Sequence, residues 1–202
     1  MVSAQAISLT DALGEIVRVP CAPWNGAKAG RCHDNVNEMI RQYGGDQVFG
    51  WALTEFGPLT PTGNYAPPLY RCLVNHVVWR DALGDLWEVS PHVTGEHQEE
   101  VTFQDIEFYP DPSAMLDRTT PHDWFRTAIR YVPVREEGTE VAEYLTQAQG
   151  AASHGEFVSA VQKAVNAIGA AGYQPAKVVV QNVAGNTTCI SIYAEFVQQN
   201  CF

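Results

Sequence analysis

A chain of 202 residues with 46% hydrophobic content can bury a sizeable core, which suits one domain with an appendage or two small domains and excludes a disordered chain. Its 12 Lys and Arg stand against 23 Asp and Glu, a net charge of −11 with a pI near 4.8, which argues against nucleic acid or an anionic membrane as partner and favours cationic or neutral substrates. The start of the chain lacks a basic region followed by an apolar core, and no apolar run approaches a membrane span, so a cytoplasmic protein is expected.

Residues 6–19 carry Ile7, Leu9, Leu13, Ile16, Val17 and Val19, the pattern of a short amphipathic helix followed by an extended segment before Pro20. Residues 20–30 form a loop that brings Trp24 and Asn25 ahead of Cys32. Asn25, seven residues before that cysteine, is a candidate oxyanion donor, with a plain turn residue as the alternative. Beyond Gly30, Val36, Met39, Ile40 and Tyr43 fall at i, i+3, i+4 and i+7, which predicts a helix that stops at Gly44-Gly45. Cys32 and His33 then lie in its first turn, where the helix N-terminus favours a thiolate and its N–H groups can hold an oxyanion.

Residues 48–54, with Phe49, Trp51 and Leu53, read as a buried strand, and the Pro-rich stretch 57–68 as a stiff loop that carries Tyr65. Trp24, His33, Trp51 and Tyr65 are candidate substrate contacts. Residues 69–80 read as a strand on which Cys72 and His76 share a face. Residues 81–85 make a turn and 86–90 a returning strand, so that about a centre at Ala82 His76 and Glu88 become cross-strand neighbours. Cys32 as nucleophile, His76 as base and Glu88 as its orienting acid then compose a thiol triad. Cys72 is the rival nucleophile, but a mid-strand thiol lacks the helix N-terminus and is expected to serve packing.

His92 and His97, among Glu96, Glu99 and Glu100, have no metal-ligand spacing and read as a solvated charged face. Five cysteines, an odd number without a Cys-x-x-Cys pair, point to reduced thiols rather than a disulfide framework or zinc site. No metal and no cofactor is expected. Residues 101–109 and 128–134 read as further strands. A boundary at 136–138 introduces helices over 141–151 and 157–168, then a hairpin of 177–183 and 187–197 with Ile190, Ile192, Ala194 and Phe196 inward and Cys189 on its polar face. The expected class is α+β. A core over 1–135 has the cysteine helix on an antiparallel sheet, and 139–202 form a helix-helix-hairpin appendage that packs on it or meets a partner.

The text His76-Val77-Val78-Trp79 and Gly84-Asp85-Leu86-Trp87-Glu88-Val89-Ser90-Pro91 resembles the His-x-Trp strand and the Gly-x-x-Trp to Asp-Pro-Thr segment of transglutaminase-like enzymes. Trp79 stands one residue further from the histidine than in the usual form, and Glu88 replaces the usual Asp. Cys32 and Asn35 are similar to the Cys-x-x-Asn start of arylamine acetyltransferases, whose glycine-rich sequence after the acid is missing here. The order of cysteine helix, histidine strand and acid strand also resembles papain-like enzymes, and the likeness spans residues 24–91. It implies a peptidase, deamidase, amidase or acyltransferase acting on a protein, peptide or small amide. The competing expectation is a binding module on a degenerate copy of that fold.

Overall fold

The computed structural model describes residues 13–54, 69–94, 99–101, 104–115, 129–183 and 187–196. Most of the helix expected over 6–19, and also Tyr65, Glu96 and His97, lie outside them. The architecture is mixed α+β, with helices packed on an antiparallel sheet.

The strands of the first part are β1 (Val17–Pro20), β2 (Asp46–Thr54), β3 (Tyr70–Arg80), β4 (Leu86–Trp87), β5 (His92–Thr94), β6 (Glu99–Val101), β7 (Asp105–Pro110) and β8 (Ile129–Pro133). The main sheet runs β1-β7-β2-β3-β4, with β8 also on β3, and every pairing is antiparallel. Residues 101–109, expected as a single strand, are divided: β6 pairs with β5, whereas β7 joins β1 and β2. The imperfect alternation of that stretch reflects this change of partner.

The sheet curls until its edges meet. Just beyond edge strand β4, Glu88 donates its backbone N–H to Pro20 (2.9 Å) and accepts from Ala22 (2.7 Å), so the chain bridges to the end of the opposite edge strand, β1. Inside the curl, Val19, Ala52, Val78, Ile106 and Phe108 are buried against one another. Closure of this kind leaves both edges hydrogen-bonded where they touch.

Helix α1 (Cys32–Tyr43) packs Val36 and Met39 on Val77 and Val89. Its last turn is fixed to β3: the Trp79 indole N–H donates to the Gly44 carbonyl (2.9 Å). The C-terminal part contributes α2 (Thr139–Gln149), α3 (His154–Ala170), β9 (Tyr173–Val183) and β10 (Thr187–Phe196). Val141, Leu145, Ala164 and Ile168 share a core with Leu69, Tyr70, Cys72, Ile129 and Tyr131 of the sheet side. The Tyr131 and Tyr70 hydroxyls accept the backbone N–H groups of Ile190 (2.9 Å) and Ile192 (3.2 Å), which ties β10 to β8 and β3. Among the described residues no helix is long and apolar enough to cross a membrane.

The β3–β4 register departs from a centre at Ala82. Trp79 pairs with Trp87 and Arg80 with Leu86, a register that, continued past β4, sets Glu88 opposite Val78, two residues closer to the turn than His76 and diagonal to it on the same face. The turn explains the slip. The Asp81 carboxylate accepts the backbone N–H groups of Leu83 and Asp85 (both 2.9 Å) and the Trp87 indole N–H (3.0 Å), while Gly84 takes φ +94. These bonds set Asp81 against Asp85, whose carbonyl accepts its N–H at 3.0 Å.

Gly50 sits opposite His76 where β7 crosses β2. A Cβ there would lie 2.2 Å from the Tyr109 carbonyl oxygen and 2.5 Å from the Phe108 ring. Gly50→Ala is therefore expected to destabilise the fold by about 1–3 kcal/mol or more, read as a lower urea midpoint. An unchanged midpoint would show that β7 is not so closely seated.

Candidate active site

Cys32 opens α1. The helix starts after Gly30, which takes φ +71, and Asp34 suits its positive end. Its N-cap residue, Arg31, places no side chain on the first-turn amides. Gly44, with φ +76, ends it by donating to the Ile40 carbonyl at 2.8 Å. The cysteine is half-buried against the cluster of Val36, Met39, Val77 and Val89, together with Trp24.

His76 comes from β3, at a break in the pairing of one edge. The β8 register ends at Val74 and the β4 register begins at Trp79, so His76 lies between the two. Its ring is 6.5 Å, centre to centre, from Phe108 in an edge-on arrangement. Nε2 is bonded to Glu88 Oε2, and Cys32 acts on the same ring by charge and hydrogen bond. Glu88 has no exposed surface, and its other oxygen, Oε1, accepts the Ser90 N–H at 2.6 Å. The three residues of the expected triad are thus adjacent.

The electrostatics follow from this packing. Burial alone would lower the affinity of His76 for its proton, but the charges of Glu88 and Cys32 and the hydrogen bonds to both raise its pKa well above the ordinary 6.5. For Glu88 burial pulls upward, while the His76 charge and hydrogen bond, the nearby His92 and the Ser90 N–H together hold its carboxyl below the ordinary 4.5. The geometry accordingly favours an ionised acid beside an imidazolium.

Asn35 fixes the surroundings. It is buried one helical turn beyond Cys32; its Oδ1 accepts the Lys28 N–H (3.1 Å), and its Nδ2 donates to the Lys28 carbonyl (2.8 Å) and to Ser90 Oγ (2.9 Å). One amide therefore joins the 20–30 loop, α1 and the residue that caps Glu88. Sequence reasoning noticed Asn35 only through its spacing from Cys32 and gave Ser90 no role. The available signal for Ser90 was its place two residues after an acid, where a backbone N–H can turn back onto the carboxylate.

The other expected contacts are distributed differently. Trp24 is half-buried beside Cys32 and its indole Nε1 is buried without a hydrogen-bond partner among the described residues. Gly26, at φ +115, lets the loop close on that ring, since a Cβ would stand 2.6 Å from it. Asn25 is exposed within the turn closed by the Ala27 N–H to the Trp24 carbonyl (3.0 Å). His33 tilts against Phe49, 5.8 Å between ring centres. Trp51 pairs with Asn75 and so occupies the opposite face from His76, its indole N–H given to Asp111 Oδ2 (3.0 Å) and its ring under Arg130 (4.1 Å). His92, read as part of a charged face, lies at the site: Nε2 is 3.9 Å from Glu88 Oε2.

No family model matches the chain, and no curated protein or solved structure is significantly similar to it. The chemistry must therefore be argued from the site itself.

Two measurements probe its construction. Asn35→Ala leaves both polar groups of Lys28 without their side-chain partner and is expected to cost about 1–3 kcal/mol, read by urea denaturation. The His76–Glu88 coupling has a defined pH window. The raised His76 contributes in full below its ordinary 6.5 and loses that contribution as pH rises through its raised value. The lowered Glu88 contributes in full above its ordinary 4.5 and loses that contribution as pH falls through its lowered value. A double-mutant cycle of His76→Gln and Glu88→Gln is expected to give its largest coupling between those two ordinary values, above the pH at which the neighbouring His92 takes up its proton, and to decline on either side. Coupling that is flat from acid to alkali would mean the pair is not ionised.

Proposed function

We propose that the protein is a thiol-dependent enzyme of amide or acyl groups, with Cys32 as nucleophile, His76 as general base and acid, and Glu88 as the residue that orients and charges the imidazole. The observation that carries this reading is the double engagement of His76, hydrogen-bonded at once to the Cys32 thiol and to a carboxylate without exposed surface. The order along the chain supports a transglutaminase-like or papain-like reading of the same residues.

The steps follow from the atoms present. His76 holds the proton that leaves Cys32, and the thiolate sulfur attacks the carbonyl carbon, pushing one electron pair onto the oxygen. The first-turn N–H groups of α1 are the donors nearest that developing charge. As the oxygen's electron pair re-forms the carbonyl, the bond to the leaving nitrogen or oxygen breaks, and His76 gives that atom its proton. An acyl thioester on Cys32 remains. Water or an amine then attacks it, His76 takes the attacker's proton, and the thiolate departs. Glu88 stays ionised throughout and stabilises each imidazolium. The net charge of −11 favours neutral or cationic peptides and small amides as substrates.

Alkylation by iodoacetamide, mapped by mass spectrometry across pH, tests the nucleophile without a substrate. Cys32 is expected to be modified faster than Cys21 and Cys72, and His76→Ala is expected to abolish that preference. With a turnover assay on a peptide or thioester, Cys32→Ala and His76→Ala should remove activity. Glu88→Gln should lower it by on the order of a hundred-fold, because the amide still accepts from the ring but cannot stabilise its charge. Full turnover in Cys32→Ala rules the mechanism out. An unreactive Cys32 would instead favour a binding module.

A further inference from the structure

A second imidazole faces the buried acid. His92 begins β5, four residues beyond Glu88, with Nε2 3.9 Å from Glu88 Oε2 and its ring centre 6.2 Å from that of His76, tilted by 39°. That nitrogen is buried, although the side chain as a whole keeps 23% of its surface. Since Glu88 Oε1 is taken by the Ser90 N–H, both imidazoles address the same remaining oxygen. A separation of 3.9 Å is too long for a hydrogen bond and short enough for an ion pair.

Among the described residues, the charged and titratable neighbours of His92 come from several elements. Glu88, after β4, and His76, on β3, face His92, and Cys32 of α1 lies beyond His76. Cys21, after β1, faces Glu88 and has Asp105 of β7 beside it. On β6 the backbone partner of His92 is Val101. Two cationic rings beside one carboxylate would repel each other, so the acid supports one imidazolium readily and a second only at the expense of the first.

We propose that His92 is a positioning residue of the thiol site. As a neutral ring it leaves Glu88 Oε2 to His76. Once protonated it draws that oxygen and opposes the His76 charge, so the His76 proton returns to the Cys32 sulfur and the pair becomes uncharged and less nucleophilic. This rests on the thiol reading given above. Burial first, and then the His76 charge, keep His92 below its ordinary 6.5 against the attraction of Glu88, so the neutral form prevails at neutral pH. The consequence is a loss of Cys32 reactivity on acidification that begins with His92 rather than with the sulfur.

The test follows iodoacetamide modification of Cys32 in the full chain from mildly acid to mildly alkaline pH, alongside NMR titration of the histidine rings. His92→Gln is expected to move the acid midpoint of Cys32 modification down by about one pH unit, the scale set by a charge some 6 Å away in a protein-like medium. In the unsubstituted chain the His76 ring resonances are expected to show a step at the pH where His92 titrates, which decides the matter even if His92→Gln does not fold. Selective modification of Cys32 with an unmoved midpoint in His92→Gln, or His76 resonances blind to His92, overturns this proposal and leaves the thiol mechanism standing. Cys32 modified no faster than Cys21 and Cys72 overturns both.

Discussion

The burial of one carboxylate constrains much of this structure. An ionised acid without exposed surface costs several kcal/mol of lost hydration unless partners replace the water. Glu88 receives that replacement from His76 on one oxygen and from the Ser90 N–H on the other. The same residue closes the sheet, because its backbone N–H and carbonyl bond Pro20 and Ala22. Loosening the closure would therefore expose the acid, and neutralising the acid would remove a reason for the closure. Fold and site share a single residue.

Cys32 approaches this acid from a separate element, and its placement depends on contacts made away from the sulfur. Asn35 fastens the preceding loop to the helix through both polar groups of Lys28, and through Ser90 fastens the helix to the segment that caps Glu88. The opposite end of α1 is held by the Trp79 indole at the Gly44 carbonyl. With one end tied to Ser90 and the other to Trp79, α1 cannot slide along its axis without breaking these bonds. The placement of the sulfur beside the imidazole is thereby set by groups other than the sulfur and the ring themselves.

Signals that act over a few residues were legible in the sequence, and closure was not. An antiparallel α+β arrangement could be read from alternation in β2 and β3 and from the 3.6-residue spacing of Val36, Met39 and Ile40. The register at Glu88 was misjudged because it depends on a side chain: Asp81 gathers three donors and shifts the pairing to Trp79 with Trp87. The link between Asn35 and Ser90 joins residues 55 apart, and that between Cys21 and Glu88 is longer still; neither leaves a periodic trace. His92 was mistaken for part of a solvated face for the same reason. It was grouped with the acids at Glu96, Glu99 and Glu100 further along the chain, whereas its neighbours in space are His76 and the buried Glu88.

Three described cysteines show how differently one residue type is placed in this fold. Cys72 has no exposed surface and belongs to the core shared with the C-terminal helices, so a reagent or substrate meets it only if that core opens. Cys21 is near the same carboxylate as His76, but nearness works against it: burial first, then the negative charges of Glu88 and Asp105, push its thiol up to about 11. Glu88 thus has opposite effects on its two sides. On β3 it faces a base and promotes positive charge, while after β1 it faces an acid and suppresses negative charge. Cys32 stands on the imidazole side, half-buried at a helix start, and shares the His76 ring with the carboxylate. On the thiol mechanism proposed above, that interposed ring converts the field of a buried anion, which would otherwise hold a thiol protonated, into support for an imidazolium that can exchange its proton with the sulfur.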